Sequence, residues 1–332
     1  VIGNLFRRLE ARFLLDPHAG TLGVGLVGVG GWGSTNALNL VRTERFDILG
    51  VHDTNPDFAA KFSKRYKTRR FDRYDDLLQD ANFRAVVLTV PNAFHVDLAR
   101  GALEAGKHVF VEKPLASGPE DCRRLGNLAA SKNLTLFVGH QVRREPALRE
   151  IERRLNSGEL GCPILASGWN TQRRTGADWR TDPRSCPGGS MEQLGVHWID
   201  VFLYLFGPPR IQSGWSLNIP RAGSGPEWGH LDLEFEGGVR GTVDSSYTAP
   251  DSFGLSVQCE KGTLQYEGGS LVLGMGEKKT VLHPEGLPGG IAQFHEFADC
   301  IEGKAIPETD AETAAIVMDC VARMVPYDKR SS

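Results

Sequence analysis

Long apolar runs are missing. No stretch of about 18 or more apolar residues occurs in the 332-residue chain, so no transmembrane helix is expected. An excess of one charge is missing as well. Lys and Arg number 38 against 41 Asp and Glu, a net charge of −3, so no basic field points to nucleic acid or an anionic membrane. Cysteine is sparse and scattered. The six residues form no CxxC pair, which argues against a structural zinc site, a redox dithiol and a disulfide framework. Reduced thiols in a cytoplasm, and no metal site, are the expectation. Internal repeats and low-complexity segments are also absent.

What remains is ordinary globular composition, 40% hydrophobic and 24% charged, with one high count, 39 glycines. The length predicts two domains. At the N-terminus, Arg7-Arg8 ahead of Phe13-Leu14-Leu15 resembles the start of a twin-arginine export signal. Asp16, Pro17 and His18 cut the apolar run below the roughly 7–15 residues of a signal core. A short amphipathic helix with Leu5, Phe6, Leu9 and Phe13 on one side is expected instead.

From residue 22 strand and helix alternate. Residues 22–28 read as a buried strand, with a helix through about Val41 and a second strand over 47–53. Ala85–Val90 is a continuous apolar run, as in a parallel strand covered on both faces. A helix over 93–105, a strand from His108 to Val111, a helix over 118–131 and a strand from Leu134 to Val138 follow. This alternation predicts a doubly wound parallel sheet. The pattern changes after about residue 143. A helix over 147–156, a strand near 163–172 and a helix over 190–206 lead into period-two alternation. There Leu231, Leu233 and Phe235 interleave with Asp232, Glu234 and Glu236. An antiparallel sheet with one wet face is predicted, closed by two helices, the last behind Asp310 as N-cap. The expected division is an extension over 1–21, a dinucleotide-binding Rossmann domain over 22–142 and a substrate-binding domain over 143–332.

Gly28-Val-Gly30-Gly31-Trp32-Gly33 matches GxGxxG between a predicted strand and a predicted helix. Such a turn brings backbone amides and a helix N-terminus to a pyrophosphate. A functionless glycine turn is the alternative, and the context argues against it. Asp53 ends the next strand 20 positions on, where an acid meets an adenosine ribose hydroxyl. An acid there repels a 2′-phosphate, so NAD is expected ahead of NADP. Arg42 and Arg45 are the residues placed to spoil that preference.

Thr89-Val-Pro91-Asn92 follows the fourth strand, with His95 soon after, and then comes Glu-Ala-Gly-Lys-His-Val-Phe-Val-Glu112-Lys113-Pro114. A third segment reads Gly188-Gly189-Ser-Met-Glu-Gln193-Leu-Gly-Val-His197-Trp-Ile-Asp200. In these three motifs, in order and over roughly residues 22–325, the chain resembles the glucose–fructose oxidoreductase and inositol dehydrogenase (Gfo/Idh/MocA) family. The resemblance implies a Rossmann domain followed by an α+β domain with a large open antiparallel sheet. It implies oligomerisation through the open sheet face. It places Lys113 beside the nicotinamide and the reacting hydroxyl, and makes Lys113-Pro114 a cis peptide. It puts Thr89, Pro91, Asn92, His95, Glu112 and Trp32 on the cofactor cleft. Family members usually act on sugars, cyclitols or nucleotide-linked sugars.

The residues support this chemistry in their own right. Oxidising a secondary alcohol needs a hydride acceptor and a base for the hydroxyl proton. His197 is a base for neutral pH, and Lys113 stabilises developing alkoxide charge. A solvated lysine and a packed core histidine beside Trp198 are the plain alternatives. One departure stands out: where family dehydrogenases commonly carry aspartate, this chain has Gln193. Four residues from His197, it shares a helix face and is expected to touch and orient the imidazole, without a charge to support an imidazolium. Asp200, three positions after His197, is expected to be structural, with a partner role for the imidazole as the alternative.

Gln141, Asn170, Trp179 and Arg180, with Gln172, are expected to border the substrate. The arginines at 143, 144, 173, 174, 180 and 184 are either surface and ion-paired residues or a sign of an anionic substituent. The reading is an NAD-dependent dehydrogenase of a polyhydroxylated small molecule. Two rivals remain: an enzyme that retains its NAD through a transient oxidation, and a non-catalytic NAD-binding regulator.

Overall fold

The computed structural model describes residues 21–326 apart from 175, 177 and 219–224. The N-terminal helix expected from the sequence lies outside the described residues. The first sheet has six parallel strands: β1 (Leu22–Val27), β2 (Phe46–His52), β3 (Arg69–Arg70), β4 (Ala85–Leu88), β5 (His108–Glu112) and β6 (Leu136–Gly139). Their order is β3-β2-β1-β4-β5-β6, the doubly wound arrangement. The apolar run of β4 is fully buried, as parallel strands covered on both faces require.

Five helices connect these strands: α1 (Gly31–Thr43), α2 (Pro56–Tyr66), α3 (Tyr74–Gln79), α4 (His95–Glu104) and α5 (Pro119–Ser131). The start of α2 is written locally. Asn55 Oδ1 accepts from the amides of Asp57 and Phe58 at 3.0 and 3.3 Å, and Pro56 occupies the first turn.

After α6 (Pro146–Ser157) the second sheet begins with β7 (Pro163–Thr171). The long helix expected over 190–206 is present, but it opens with a π turn over Met191–Gly195 before α7 (Val196–Phe206). Then come β8 (Arg210–Leu217), β9 (Trp228–Glu234), β10 (Arg240–Ser246), β11 (Ser252–Cys259), β12 (Thr263–Glu267), β13 (Ser270–Met275) and β14 (Lys278–Leu282). Helices α8 (Gly289–Ile301) and α9 (Ala311–Ala322) precede a short β15 (Val325–Pro326). The sheet has nine strands in the order β14-β13-β12-β11-β7-β10-β9-β8-β15.

This sheet is mostly antiparallel, with two exceptions. β7 pairs with β10, and β8 with β15, in parallel. Parallel neighbours need long crossovers, and the chain between 172 and 239 supplies the first. The alternation read from the sequence holds. Leu231, Leu233 and Val243 are buried against Trp198 and Phe202 of α7, while Asp232 and Glu234 point away. Asp310 caps α9, its Oδ1 accepting from Thr313 N at 2.8 Å.

Helix α8 returns to the first sheet. Phe294 and Phe297 are fully buried with Phe46, Phe110 and Phe137, and the Phe110–Phe294 centroids are 4.5 Å apart. Truncating such a phenylalanine costs about 3–5 kcal/mol, so residues 289–301 are structural members of the first core.

Candidate active site

The loops after β1, β4, β5 and β6 meet at the carboxyl ends of their strands, beside the β1/β4 switch in strand order, where open α/β sheets bind ligands. A cavity of about 740 Å³ lies there, lined on its other side by Gln193 and Leu194 of the π turn and by Gln172, Arg174, Trp179 and Arg180.

The first wall is the glycine turn. Gly28 has φ +81°, and a Cβ on Gly33 would stand 2.1 Å from the Gly28 carbonyl oxygen. Only glycine lets α1 start this close to β1. Asp53 is fixed beside this turn, its carboxylate accepting from Val29 N and Asn55 N, both at 2.8 Å. Thr89 Oγ1 donates to the Gly28 carbonyl at 2.7 Å and holds the neighbouring loop against it. Arg45 pairs with Asp299 and Glu302, and neither it nor Arg42 lines the cavity.

The second wall is the end of β5. Glu112 is buried and accepts from Trp32 Nε1 at 2.8 Å and Asn36 Nδ2 at 2.7 Å. Burial raises its pKa against the pull of those donors and of Lys113. The Lys113-Pro114 peptide is cis. Lys113 Nζ donates to the Gln193 main-chain carbonyl at 2.8 Å. Burial lowers the Lys113 ammonium to about 8, with Glu112 opposing the shift.

The third wall is the π turn and the start of α7. His197 lines the cavity, and its buried Nδ1 has no hydrogen-bond partner. Burial holds its pKa well below 6.5, and Lys113 and His140 add in the same direction. The neutral, proton-accepting form is therefore the resident one. His140, behind it, is itself lowered to about 4 by burial.

Most of the residues expected from the sequence come together. Gly28, Gly30, Gly31, Trp32, Gly33 and Asp53 line the cavity, as do Thr89, Pro91, Asn92 and Glu112. Lys113, Gln141, Trp179, Arg180, Gln193 and His197 complete the other side.

Three expectations are corrected. His95 does not reach the cavity. It is fully buried, with Nδ1 2.7 Å from the Pro114 carbonyl and Nε2 2.9 Å from that of Val90, so it braces two cavity loops from behind. Asn170 is also buried away from the cavity, donating to the Leu194 carbonyl at 3.2 Å. Gln193 does not hydrogen-bond His197, since its Nε2 and the His197 Nδ1 are both without partners. The π turn explains this: its wider i→i+5 winding breaks the register that would align positions 193 and 197.

The arginines divide. Arg143 makes a buried bidentate pair with Asp200 at 2.6 and 2.9 Å, and Arg144 pairs with Glu296. Arg184 pairs with Asp182 on the surface. Arg174 and Arg180 line the cavity.

Sequence reasoning missed Glu192, which is fully buried. Its Oε1 accepts from Asn92 Nδ2 and Ser117 Oγ, both at 2.9 Å, and its Oε2 from Gly188 N at 2.8 Å. A carboxylate between Met191 and Leu194 was the available signal. Phe58 and Phe94 were missed as well: both line the cavity though 46% and 57% exposed. Among the described residues no group of three metal-ligating side chains occurs. No described helix is long and apolar enough to cross a membrane.

The profile of an oxidoreductase family with an NAD-binding Rossmann fold (GFO_IDH_MocA) matches residues 22–140, and that of the GFO/IDH/MocA C-terminal domain matches 148–265. The chain is 27% identical over 311 residues to scyllo-inositol 2-dehydrogenase (NAD(+)) of Bacillus subtilis, covering 85% of this chain and 86% of that one. It is 27% identical over 266 residues to levoglucosan dehydrogenase of Pseudarthrobacter phenanthrenivorans, covering 69% and 68%. Among solved structures, an oxidoreductase of Desulfitobacterium hafniense described as NADPH-dependent superposes with TM-score 0.86 at 23% identity, over 92% of this chain and 94% of that one. Levoglucosan dehydrogenase with NADH and L-sorbose gives 0.83 at 20% identity, over 91% and 96%. These superpositions show the same fold, and with both halves of the chain matched in order, the protein belongs to the Gfo/Idh/MocA family of NAD-binding oxidoreductases.

Proposed function

We propose that the protein is an NAD-dependent dehydrogenase acting on a secondary hydroxyl of a sugar, cyclitol or related polyol. The observation that carries this reading is the meeting of the Lys113 ammonium and a neutral His197 in one cavity with the glycine turn. The cradle fits a dinucleotide: Gly33 lets α1 start against the Gly28 carbonyl, no protein atom lies within 4 Å of where a Cβ on Gly31 would stand, and the N-terminus of α1 opens onto that space. Gly28–Gly33, Asp53 and Thr89–Asn92 would hold the cofactor. When bound, it supplies the acceptor for a carbinol hydride. Lys113 donates a hydrogen bond to the substrate oxygen and stabilises its developing charge. His197 accepts the hydroxyl proton on its imidazole. His95 and Glu192 hold the loops that carry these groups and touch no substrate.

NAD is favoured over NADP in this reading. Asp53 offers a carboxylate where a 2′-phosphate would sit, and no Lys or Arg stands beside His52–Asn55 among the described residues of the cavity. The relatives act on inositol and levoglucosan, which supports a polyol substrate. The division of labour near residue 142 belongs to the same proposal.

Two further points complete it. The outward face of the second sheet, where Trp215 stacks on His230, is the surface for self-association, and light scattering tests it. All six cysteines are free, which supports a reducing compartment such as the cytoplasm. The enzymatic reading is tested by NAD reduction with purified protein across sugars, cyclitols and their acids, with Lys113→Met in parallel. Substrate-dependent NADH formation lost in the variant supports it; NADH formation that survives the variant contradicts it.

A further inference from the structure

We infer, on the dinucleotide reading of the cavity and independently of turnover, that Trp32 is the platform for the nicotinamide ring and gives the site a preference for the oxidised, cationic ring. Trp32 stands in the first turn of α1, lines the cavity and is 46% exposed. An exposed tryptophan alone means little. This one is anchored. Its Nε1 donates to Glu112 Oε1 at 2.8 Å, and the same oxygen accepts from Asn36 Nδ2 at 2.7 Å. Glu112 and Asn36 are both buried, so the anchor belongs to the core while the indole stands in the cavity. Among the described residues no ring or guanidinium stacks on it, whereas Trp179 carries the Arg180 guanidinium at 4.5 Å.

The anchor also selects the end of the cofactor that the indole meets. Asp53, bonded to Val29 N and Asn55 N, belongs to the adenosine end in the proposed reading. Glu112 is the chain neighbour of Lys113, and its Oε2 accepts from Lys113 N at 3.3 Å. Trp32 is thereby tied to the residue that the same reading puts beside the carbinol. That is the nicotinamide end.

Charge separates the two redox states of the ring. Oxidised nicotinamide is a pyridinium cation, and the reduced ring is neutral. The Lys113 ammonium at this end of the cavity disfavours a cation. An indole face attracts one, more strongly than the other aromatic side chains do. Donating its N–H to the Glu112 carboxyl polarises the indole further in that sense. A neutral polyol gains no such attraction, so a flat cation is the ligand this surface suits.

The test is equilibrium binding of oxidised NAD, NADH and ADP-ribose to the whole protein without substrate, in the parent, Trp32→Leu and Trp32→Phe. The exposed position of Trp32 spares the core, which thermal melts of the variants verify. Trp32→Leu is expected to weaken oxidised NAD about two- to thirty-fold relative to NADH, the span for a cation on an indole face. Trp32→Phe, with a weaker ring, falls between. Lys113→Met moves the ratio the other way, and ADP-ribose, which lacks the ring, binds the parent and both Trp32 variants alike. A second readout is spectroscopic: indole stacked on oxidised nicotinamide gives a long-wavelength charge-transfer absorption, expected in the parent and lost in Trp32→Leu. An affinity ratio unchanged in Trp32→Leu, or ADP-ribose weakened as much as oxidised NAD, overturns the inference. Loss of polyol affinity alone in Trp32→Leu overturns it too and assigns the indole to the substrate. Absence of NAD and NADH binding to the parent removes it together with the dinucleotide reading. NAD reduction with an unchanged ratio leaves the dehydrogenase reading standing without this role for Trp32. A shifted ratio with no NAD reduction by any polyol keeps the platform and removes the dehydrogenase.

Discussion

Lys113 Nζ and the main-chain carbonyl of Gln193, 2.8 Å apart, join the end of β5 to the π turn ahead of α7. The two residues come from different sheets' supporting elements and are 80 positions apart. Their contact fixes the ammonium within the cavity that His197 also lines. It also explains why a buried lysine is tolerated: a carbonyl and the nearby Glu112 offset part of its desolvation.

Lys113→Met removes that ammonium. The turnover number is expected to fall about 10²–10³-fold, as when an oxyanion donor is lost, with NADH binding retained. Stability should move the other way. The Lys113 pKa is lowered from 10.5 to about 8, so the unfolded chain binds the extra proton between these values. The burden on the fold is complete below about pH 8 and fades as pH rises toward 10.5. Lys113→Met should therefore melt higher than the parent at pH 7, by a margin that shrinks above pH 8. Thermal melts at several pH values check this.

The same two shifts set a pH profile for alcohol oxidation. His197 must be neutral, and its pKa lies well below 6.5, so the acid limb of kcat/KM falls well below pH 6.5. Lys113 must be protonated to donate, so the alkaline limb falls near pH 8. An alkaline limb at the ordinary lysine value would contradict the assigned role.

Glu192→Ala leaves Asn92 Nδ2, Ser117 Oγ and Gly188 N without their acceptor. A loss of about 2–3 kcal/mol in stability is expected from the unpaired buried groups. Glu192→Gln should recover part of it, because its carboxamide oxygen replaces one of the two acceptors. Denaturant titration of both variants measures the difference.

How far the sequence could be read depends on whether a signal is local. Gly28–Gly33, Asp53 and the Glu112-Lys113 pair sit at strand ends, where strand, turn and helix signals adjoin in the chain. Glu192 could not be placed, because its partners are 100, 75 and 4 positions away and only folding unites them. His95 was assigned to the cleft from its place after the Thr89–Asn92 motif, and Asn170 as a polar residue in a segment expected to border the substrate, yet both are turned away to bond buried carbonyls. The π turn changed the geometry between Gln193 and His197, and hydrophobic spacing does not report an inserted i→i+5 turn. The return of α8 to the first sheet was likewise hidden, since Phe294 and Phe297 show which face is buried but not against what.

Asp53→Ala removes the carboxylate beside the glycine turn. The KM for NAD is expected to rise about ten-fold, on the order of one lost charge-assisted hydrogen bond. Use of NADP should improve at the same time. Initial rates with both cofactors decide it, and an unchanged NAD/NADP ratio would show that Asp53 does not set the preference.

The most direct measurement follows a deuterium label from the carbinol carbon of an oxidised polyol. Single-turnover reaction with NAD should place the label in NADH, slow the rate with a primary isotope effect and fail in both Lys113→Met and His197→Gln. NADH without the label, or labelled NADH at the parent rate in both variants, would contradict hydride transfer assisted by this lysine and histidine.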